Sequence, residues 1–315
     1  MTQDSLITVE HLSRRYGEQL AVNDLSFSVA RGEVLGFLGP NGAGKSTTMQ
    51  MITGNLAPST GRILINGIDL LEQPREAKQH LGYLPEQPPL YRELTVNEYL
   101  RLCARLHRVA RPVIGAAIDE AMLRCGLGEV RHRLIGQLSK GYQQRVGIAQ
   151  AILHKPALII LDEPTVGLDP IQIREIRTLV RELGREHGVI LSTHILPEVQ
   201  ATCDRVQIIR RGQLVLSDSI EGIGQRLRGA SLIVGLRRPP ANEVLLALPG
   251  IEAIESLGEG RLRLQHAHHC DPAEALADLA VRENWGLFEL HPESHSLEEI
   301  FVDLTTRDDI REAAA

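Results

Sequence analysis

Nine residues, Gly39 to Thr47 (GPNGAGKST), constrain the fold of this chain more than any other stretch. They follow an apolar run, Val34 to Leu38, and match G-x-x-x-x-G-K-[ST], the P-loop pattern. Such a loop joins the end of a buried strand to the start of a helix. Its glycines let the backbone turn so tightly that successive N–H groups face inward and form a nest for phosphate oxygens. Lys45 adds a point charge to that nest, and Ser46 places a hydroxyl where a phosphate-bound Mg²⁺ is held. The helix running on through Met51 aims its positive end at the same anion. Gly39, Pro40, Asn41, Gly42, Ala43, Gly44, Lys45, Ser46 and Thr47 are therefore the candidate phosphate ligands. An ordinary glycine turn is the alternative, and it accounts for neither the full spacing nor its flanks.

A chain of 315 residues with 43% hydrophobic content has room for two globular domains with sizeable cores. Its net charge of −6 supplies no overall basic field for nucleic acid. The four cysteines, Cys103, Cys125, Cys203 and Cys270, are scattered and form no C-x-x-C pair, so they signal neither a disulfide framework nor a zinc site. The opening residues, MTQDSLITVEHL, show no basic region followed by an apolar core, and no apolar run approaches the roughly 20 residues that span a bilayer. By itself the chain reads as soluble and cytoplasmic.

Leu6 to Val9, Asp24 to Val29 and Arg62 to Ile65 are short β-rich runs near glycine or asparagine, which predicts antiparallel strands around the P-loop unit. Tyr16 falls between the first two, either as an exposed ring that stacks on a nucleotide base or as a core tyrosine. From Leu81 a short strand, a proline-broken loop and a helix follow, with Thr95 and Glu98 at capping-box spacing. A second helical stretch runs from Val113 to Cys125. The region from about 88 to 150 thus reads as a helical insertion into an α/β domain.

Within LSKGYQQRVGIAQAIL, Ser139 is placed to cap a helix and Gly141 keeps side-chain bulk away from its start. That start is either a second anion site or merely a structural cap. Ala157 to Leu161 then forms a continuous apolar run, as expected of a central parallel strand, and ends in Asp162 and Glu163. Asp162 is placed to hold Mg²⁺ through its water shell, and Glu163 to polarise a water in line with a γ-phosphate. Helix Gln172 to Glu186 leads to the strand Val189 to Leu191 and to His194, which can bond a phosphate oxygen and a carboxylate at once. Strands Arg205 to Ile209 and Gln213 to Leu216 close this domain, and a helical stretch from Ile220 to Leu227 leads out of it.

In identity and order these motifs resemble the ATP-binding cassette family, the nucleotide-binding subunits of ABC transporters. GPNGAGKST is similar to Walker A, LSKGY to the signature, LIILDEP to Walker B with its glutamate, GLDP to the D-loop and STH to the switch histidine. The resemblance covers roughly residues 4 to 220, and the ABC ATPase domain it implies is expected at 4–222. It implies a P-loop α/β core with an antiparallel β subdomain and a helical subdomain, ATP and Mg²⁺ as cofactors, and ATP hydrolysis. It also implies a head-to-tail dimer with a second copy or a paralogue, in which Ser139 and Gly141 reach the partner's ATP. Tyr16 matches the family's base-stacking aromatic. Two departures stand out: Lys140 and Tyr142 interrupt the general LSGGQ pattern, and Glu86, followed by Gln87, occupies the usual place of the Q-loop glutamine. Both variants resemble a drug-exporter-like, gliding-motility-associated branch whose permease is a separate polypeptide. That implies an exporter ATPase, peripheral on the inner face of the membrane through its permease, with Ser46, Asp162 and Glu86 as metal-site residues.

From 228 to 315 the order βαββαβ predicts a small ferredoxin-like α+β domain. Its strands are expected at Ser231 to Leu236, Ala253 to Leu257, Arg261 to Gln265 and Leu287 to Leu290, and its helices at Asn242 to Leu248 and Pro272 to Glu283. SLEEIFVDLT from Ser296 resembles a closing helix of that branch. His266, His268, His269 and Cys270 read either as a transition-metal cluster or as a polar loop. The rival function is a soluble ABC ATPase acting on nucleic acid or ribosomes. A single cassette, no sustained heptads and no net basic charge argue against it. A subunit that binds nucleotide without hydrolysing it is disfavoured by Glu163 and His194 together.

Overall fold

The computed structural model describes residues 5–267, 270 and 272–294, with no side chains described for 224–230 and 294. The chain divides into two compact units, Met1–Ile220 and Glu221–Ala315. In chain order the first unit contains β1 (Ser5–Tyr16), β2 (Gln19–Ala30), β3 (Val34–Leu38), α1 (Lys45–Ile52), β4 (Thr60–Ile65), β5 (Ile68–Asp69), α2 (Pro74–Gln79), β6 (Leu81–Leu84), α3 (Val96–Leu106), α4 (Ile114–Arg124), α5 (Lys140–Ile152), β7 (Leu158–Asp162), α6 (Pro170–Gly184), β8 (Gly188–Thr193), α7 (Leu196–Thr202), β9 (Arg205–Arg210) and β10 (Gln213–Ser219). Helix α8 (Ile220–Leu227) begins where the units divide.

β2, β1, β4 and β5 form an antiparallel sheet in that order. The first two strands are longer than their apolar runs, because the β1–β2 pairing carries irregularities between Val9 and Arg15 that break the alternation of side chains without ending the ladder. Tyr16 is consequently the last residue of β1, paired with Gln19, and not a loop residue between strands.

The second sheet has the order β10-β9-β3-β8-β7-β6 and is parallel except at its β9–β10 edge. Every residue of β3, β7 and β8 is buried, which explains why these strands read as unbroken apolar runs. Leu35 and Phe37 of β3 share one core with Met49 of α1 and with Ile7, Phe27 and Ile63 of the antiparallel sheet. Gly36, on the opposite face of the strand, leaves room for Val199 of α7, which would lie 2.6 Å from a Cβ at that position. The P-loop thus starts from a strand clamped on both faces, each buried Leu or Phe contributing roughly 1.5–3 kcal/mol.

The helical part is built as its spacing predicts. Thr95 and Glu98 form the reciprocal capping box of α3, with Glu98 N donating to Thr95 Oγ1 (3.3 Å) and Thr95 N to Glu98 Oε2 (2.9 Å). α3 buries Val96, Tyr99, Leu100 and Cys103 at helical spacing. α6 starts at Pro170, two residues before the expected Gln172. Asp169 caps it by accepting from the N–H groups of Ile171 and Gln172, and proline suits the first helical position.

In the second unit β11 (Arg228–Leu236), α9 (Asn242–Leu246), β12 (Ile251–Gly258), β13 (Arg261–His266), α10 (Ala273–Arg282) and β14 (Leu287–Ser294) give the order βαββαβ. Its antiparallel sheet, β12-β13-β11-β14, is the ferredoxin-like arrangement. Leu232, Val234 and Leu264 pack with Leu245 of α9 and Leu276 of α10. His266 Nδ1 lies 3.1 Å from the Ala267 carbonyl and Cys270 Sγ donates to the Pro249 carbonyl (3.3 Å). His268, His269 and the segment from Ser296 lie outside the described residues. Among the described residues no group of three or more His, Cys, Asp or Glu side chains is placed to hold a metal ion.

Candidate active site

β3 ends at the loop that begins with Gly39, where a Cβ would sit 2.5 Å from the Ile209 carbonyl oxygen. Gly44, the last loop residue before α1, has φ 105°, and a Cβ there would lie 2.6 Å from the Ala21 carbonyl. Only glycine satisfies that conformation and that close approach together. Lys45 is buried, and its Nζ donates to the carbonyls of Gly39 (2.7 Å) and Pro40 (3.2 Å). Burial lowers its pKa, against the opposing pull of Glu163, Asp162 and Glu86.

Although Glu163 directly follows β7, two positions away from β3 in the sheet, its Oε1 is 3.8 Å from Lys45 Nζ. It has φ 48°, a left-handed conformation uncommon for a non-glycine residue. Its N–H donates to the Ser192 carbonyl (2.9 Å). His194 Nδ1 lies 3.0 Å from both carboxylate oxygens of Glu163, so with the proton on Nδ1 the ring donates to an acid held between a cation and an imidazole. Burial raises the Asp162 pKa and the like charges of Glu163 and Glu86 add to the shift, opposed by the nearby Ser192 hydroxyl and by Lys45. Asp162 Oδ1 is buried with no hydrogen-bond partner.

Lys45, Glu163 and His194 border an open cleft of about 710 Å³, a size that suits a nucleotide. Tyr16, Asn41, Gly42, Gly44, Lys45, Ser46, Thr47, Glu86, Glu163 and His194 line it. Tyr16 is 46% exposed, with the Arg14 guanidinium 4.8 Å from its ring centroid; it is not a core tyrosine. Gly39, Pro40, Ala43 and Asp162 are not part of the lining, the first two instead holding Lys45 through their carbonyls.

Ser139 and Gly141 also stand apart from this cleft. Ser139 is exposed and caps α5 by accepting from the Tyr142 N–H (3.4 Å), whereas Gly141 is buried with the Gln172 side chain over it. The start of α5 is therefore less bare than its glycine implies, because α6 brings Gln172 across it. Five further lining residues are not among the predicted site residues: Gln19, Leu20, Ala21, Val166 and Arg211. Gln19, Leu20 and Ala21 open β2, Val166 lies in the turn after β7 and Arg211 in the β9–β10 turn, and contacts distant in sequence carry β2 and the β9–β10 turn to the P-loop.

Comparison with known proteins agrees with this geometry. Residues 22–166 match the family described as "ABC transporter". The linearmycin resistance ATP-binding protein LnrL of Bacillus subtilis is 33% identical over 96% of this chain and 99% of its own length. The Nod factor export ATP-binding protein I of Rhizobium johnstonii is also 33% identical, over 96% of this chain and 95% of its own length. Among solved structures, an ATP binding subunit of an ABC transporter superimposes with a TM-score of 0.64 at 35% identity, covering 70% of this chain and 92% of that one. The P-loop, Glu163 and His194 converge on one cleft in this fold, and the chain belongs to the ABC transporter family as an ATP-binding, ATP-hydrolysing subunit.

Proposed function

We propose that this subunit drives export through a separate membrane permease, with two ATP molecules bound between the P-loop of one chain and the Ser139–Gly141 segment of a second copy or a paralogue. The observation that carries the catalytic part is Glu163, held by His194 and Lys45 at the cleft. Tyr16 stacks on the base, and the N–H groups of Asn41 to Thr47 cradle the phosphates. Lys45 moves from the loop carbonyls to the phosphates, where charge develops during hydrolysis. Glu163 orients and deprotonates the attacking water. His194 keeps that carboxylate aimed through its Nδ1–H.

Ser46, Asp162 and Glu86 offer hard oxygen donors, and the orphaned Asp162 Oδ1 fits them to Mg²⁺. When bound, Mg²⁺ neutralises phosphate charge. The two relatives whose names carry export and resistance support export as the direction of transport. No described helix is long and apolar enough to cross a membrane, so the reading needs a separate permease, docked near Glu86–Leu90 on the inner membrane face.

Glu163→Gln preserves shape and removes the base. Its kcat should fall by about a hundredfold or more with ATP affinity unchanged, measured by phosphate release and by binding of a fluorescent ATP analogue. Wild-type turnover in that variant would refute the assignment.

A further inference from the structure

Glu198, in α7, is a buried acid, 1% exposed, and it bridges the two loops that carry Glu163 and His194. Its Oε1 accepts from Thr165 Oγ1 (2.6 Å), and its Oε2 accepts from Thr193 Oγ1 (3.1 Å). Thr165 stands two residues after Glu163, and Thr193 immediately precedes His194. Thr193 Oγ1 accepts in turn from the N–H of Ile195 (3.1 Å), so this network grips the backbone on both sides of His194. Thr165 and Thr193 are themselves buried, at 4% and 0% exposure.

Burying a carboxylate against two neutral hydroxyls is a costly way to fill space, and an apolar side chain would do so more cheaply. What a carboxylate adds is a rigid fork with two acceptors at fixed separation. Its mount is also rigid, because Val199, the next residue of α7, packs into the space that Gly36 leaves on β3, the strand leading to the P-loop. One short helix therefore touches the P-loop strand, the loop after Glu163 and the residue before His194.

We infer that Glu198 is a positioning residue for ATP hydrolysis. It fixes the spacing of Glu163 and His194 through Thr165 and Thr193, without touching ATP itself. The inference rests on the assignment of Glu163 and His194 made above. A displacement of α7 moves both groups together, which makes this helix the element through which the switch loop and the loop after Glu163 stay in register.

The test is steady-state ATPase kinetics on the full chain for Glu198→Gln, Thr165→Val, Thr165→Ser and the double variant Glu198→Gln/Thr165→Val, beside Glu163→Gln. Glu198→Gln and Thr165→Val should each lower kcat between about tenfold and a hundredfold with KM for ATP within about twofold. Thr165→Ser, which keeps the hydroxyl, should restore most of kcat. The double variant should be no worse than Glu198→Gln alone, because both changes break one network. Wild-type kcat in Glu198→Gln, full additivity in the double variant, or no difference between valine and serine at 165 would each overturn the inference. Should Glu198→Gln fail to fold, the valine–serine comparison at 165 decides it. Ordinary turnover in Glu163→Gln would overturn the site assignment and the positioning role with it; its loss beside an unaffected Glu198→Gln overturns the positioning role alone.

Discussion

Gly44 shows how much a single residue of the site owes to what was legible in the sequence. Its place in G-x-x-x-x-G-K-[ST] predicts a tight turn, and the structure supplies the reason alanine fails there: φ 105° and the Ala21 carbonyl 2.6 Å from any Cβ. Gly44→Ala should therefore destabilise the chain by roughly 1–3 kcal/mol and weaken ATP binding, read by denaturant unfolding and analogue titration. Unchanged values in both would show that the loop tolerates a side chain. Glu163 is the opposite case. Its letter announces an acid at a strand end, but its left-handed backbone depends on the bond from its N–H to Ser192 on the neighbouring strand, which no local pattern encodes. The surroundings of Tyr16 and Gly141 are likewise decided by contacts that no local pattern encodes, a pairing irregularity and a neighbouring helix respectively.

Elements whose ends are set by local chemistry, such as α3 with its capping box, were legible in advance. Strand order was not: β8 lies between the P-loop strand β3 and the acid-bearing β7, a placement that depends on contacts far apart in the chain. Helix ends also meet in ways the sequence does not announce. His107, capping α3, stacks on His154 beyond the end of α5, with ring centroids 3.9 Å apart and planes 7° from parallel. His154 Nε2 donates to the Leu81 carbonyl (3.0 Å), and its Nδ1 is buried without a partner. Burial, and then the neighbouring His107, push the His154 pKa down from 6.5 to about 4. Above pH 6.5 this ring is neutral in the folded and unfolded chains alike and contributes no pH dependence. As pH falls from 6.5 toward 4, the unfolded chain takes up a proton that the folded chain refuses, and stability is lost, by about 2–3 kcal/mol at pH 4.5. His154→Gln can keep the donor to Leu81 while removing the titration. Its melting temperature should fall less steeply between pH 6.5 and 4.5 than that of the wild type, and equal slopes would exclude His154 as the cause.

At the scale of the whole molecule, the P-loop, Glu163 and His194 gather at one cleft of the first unit, while Ser139 stands apart from it on the exposed start of α5. A chain with one P-loop and a separate capped helix start is half of a site on this account, and ATP joins two chains. The most direct measurement is complementation between two defective chains. Lys45→Ala disables the P-loop and Ser139→Arg blocks the segment offered to the partner, so each alone should hydrolyse almost no ATP. In a mixed dimer one site pairs the intact P-loop of the Ser139→Arg chain with the intact Ser139 segment of the Lys45→Ala chain. Mixing the two in equal amounts should therefore restore up to about a quarter of wild-type turnover, because half of randomly formed two-fold dimers are mixed and each has one good site of two. No recovery on mixing, with mixed dimers shown to form, would contradict a site shared between chains.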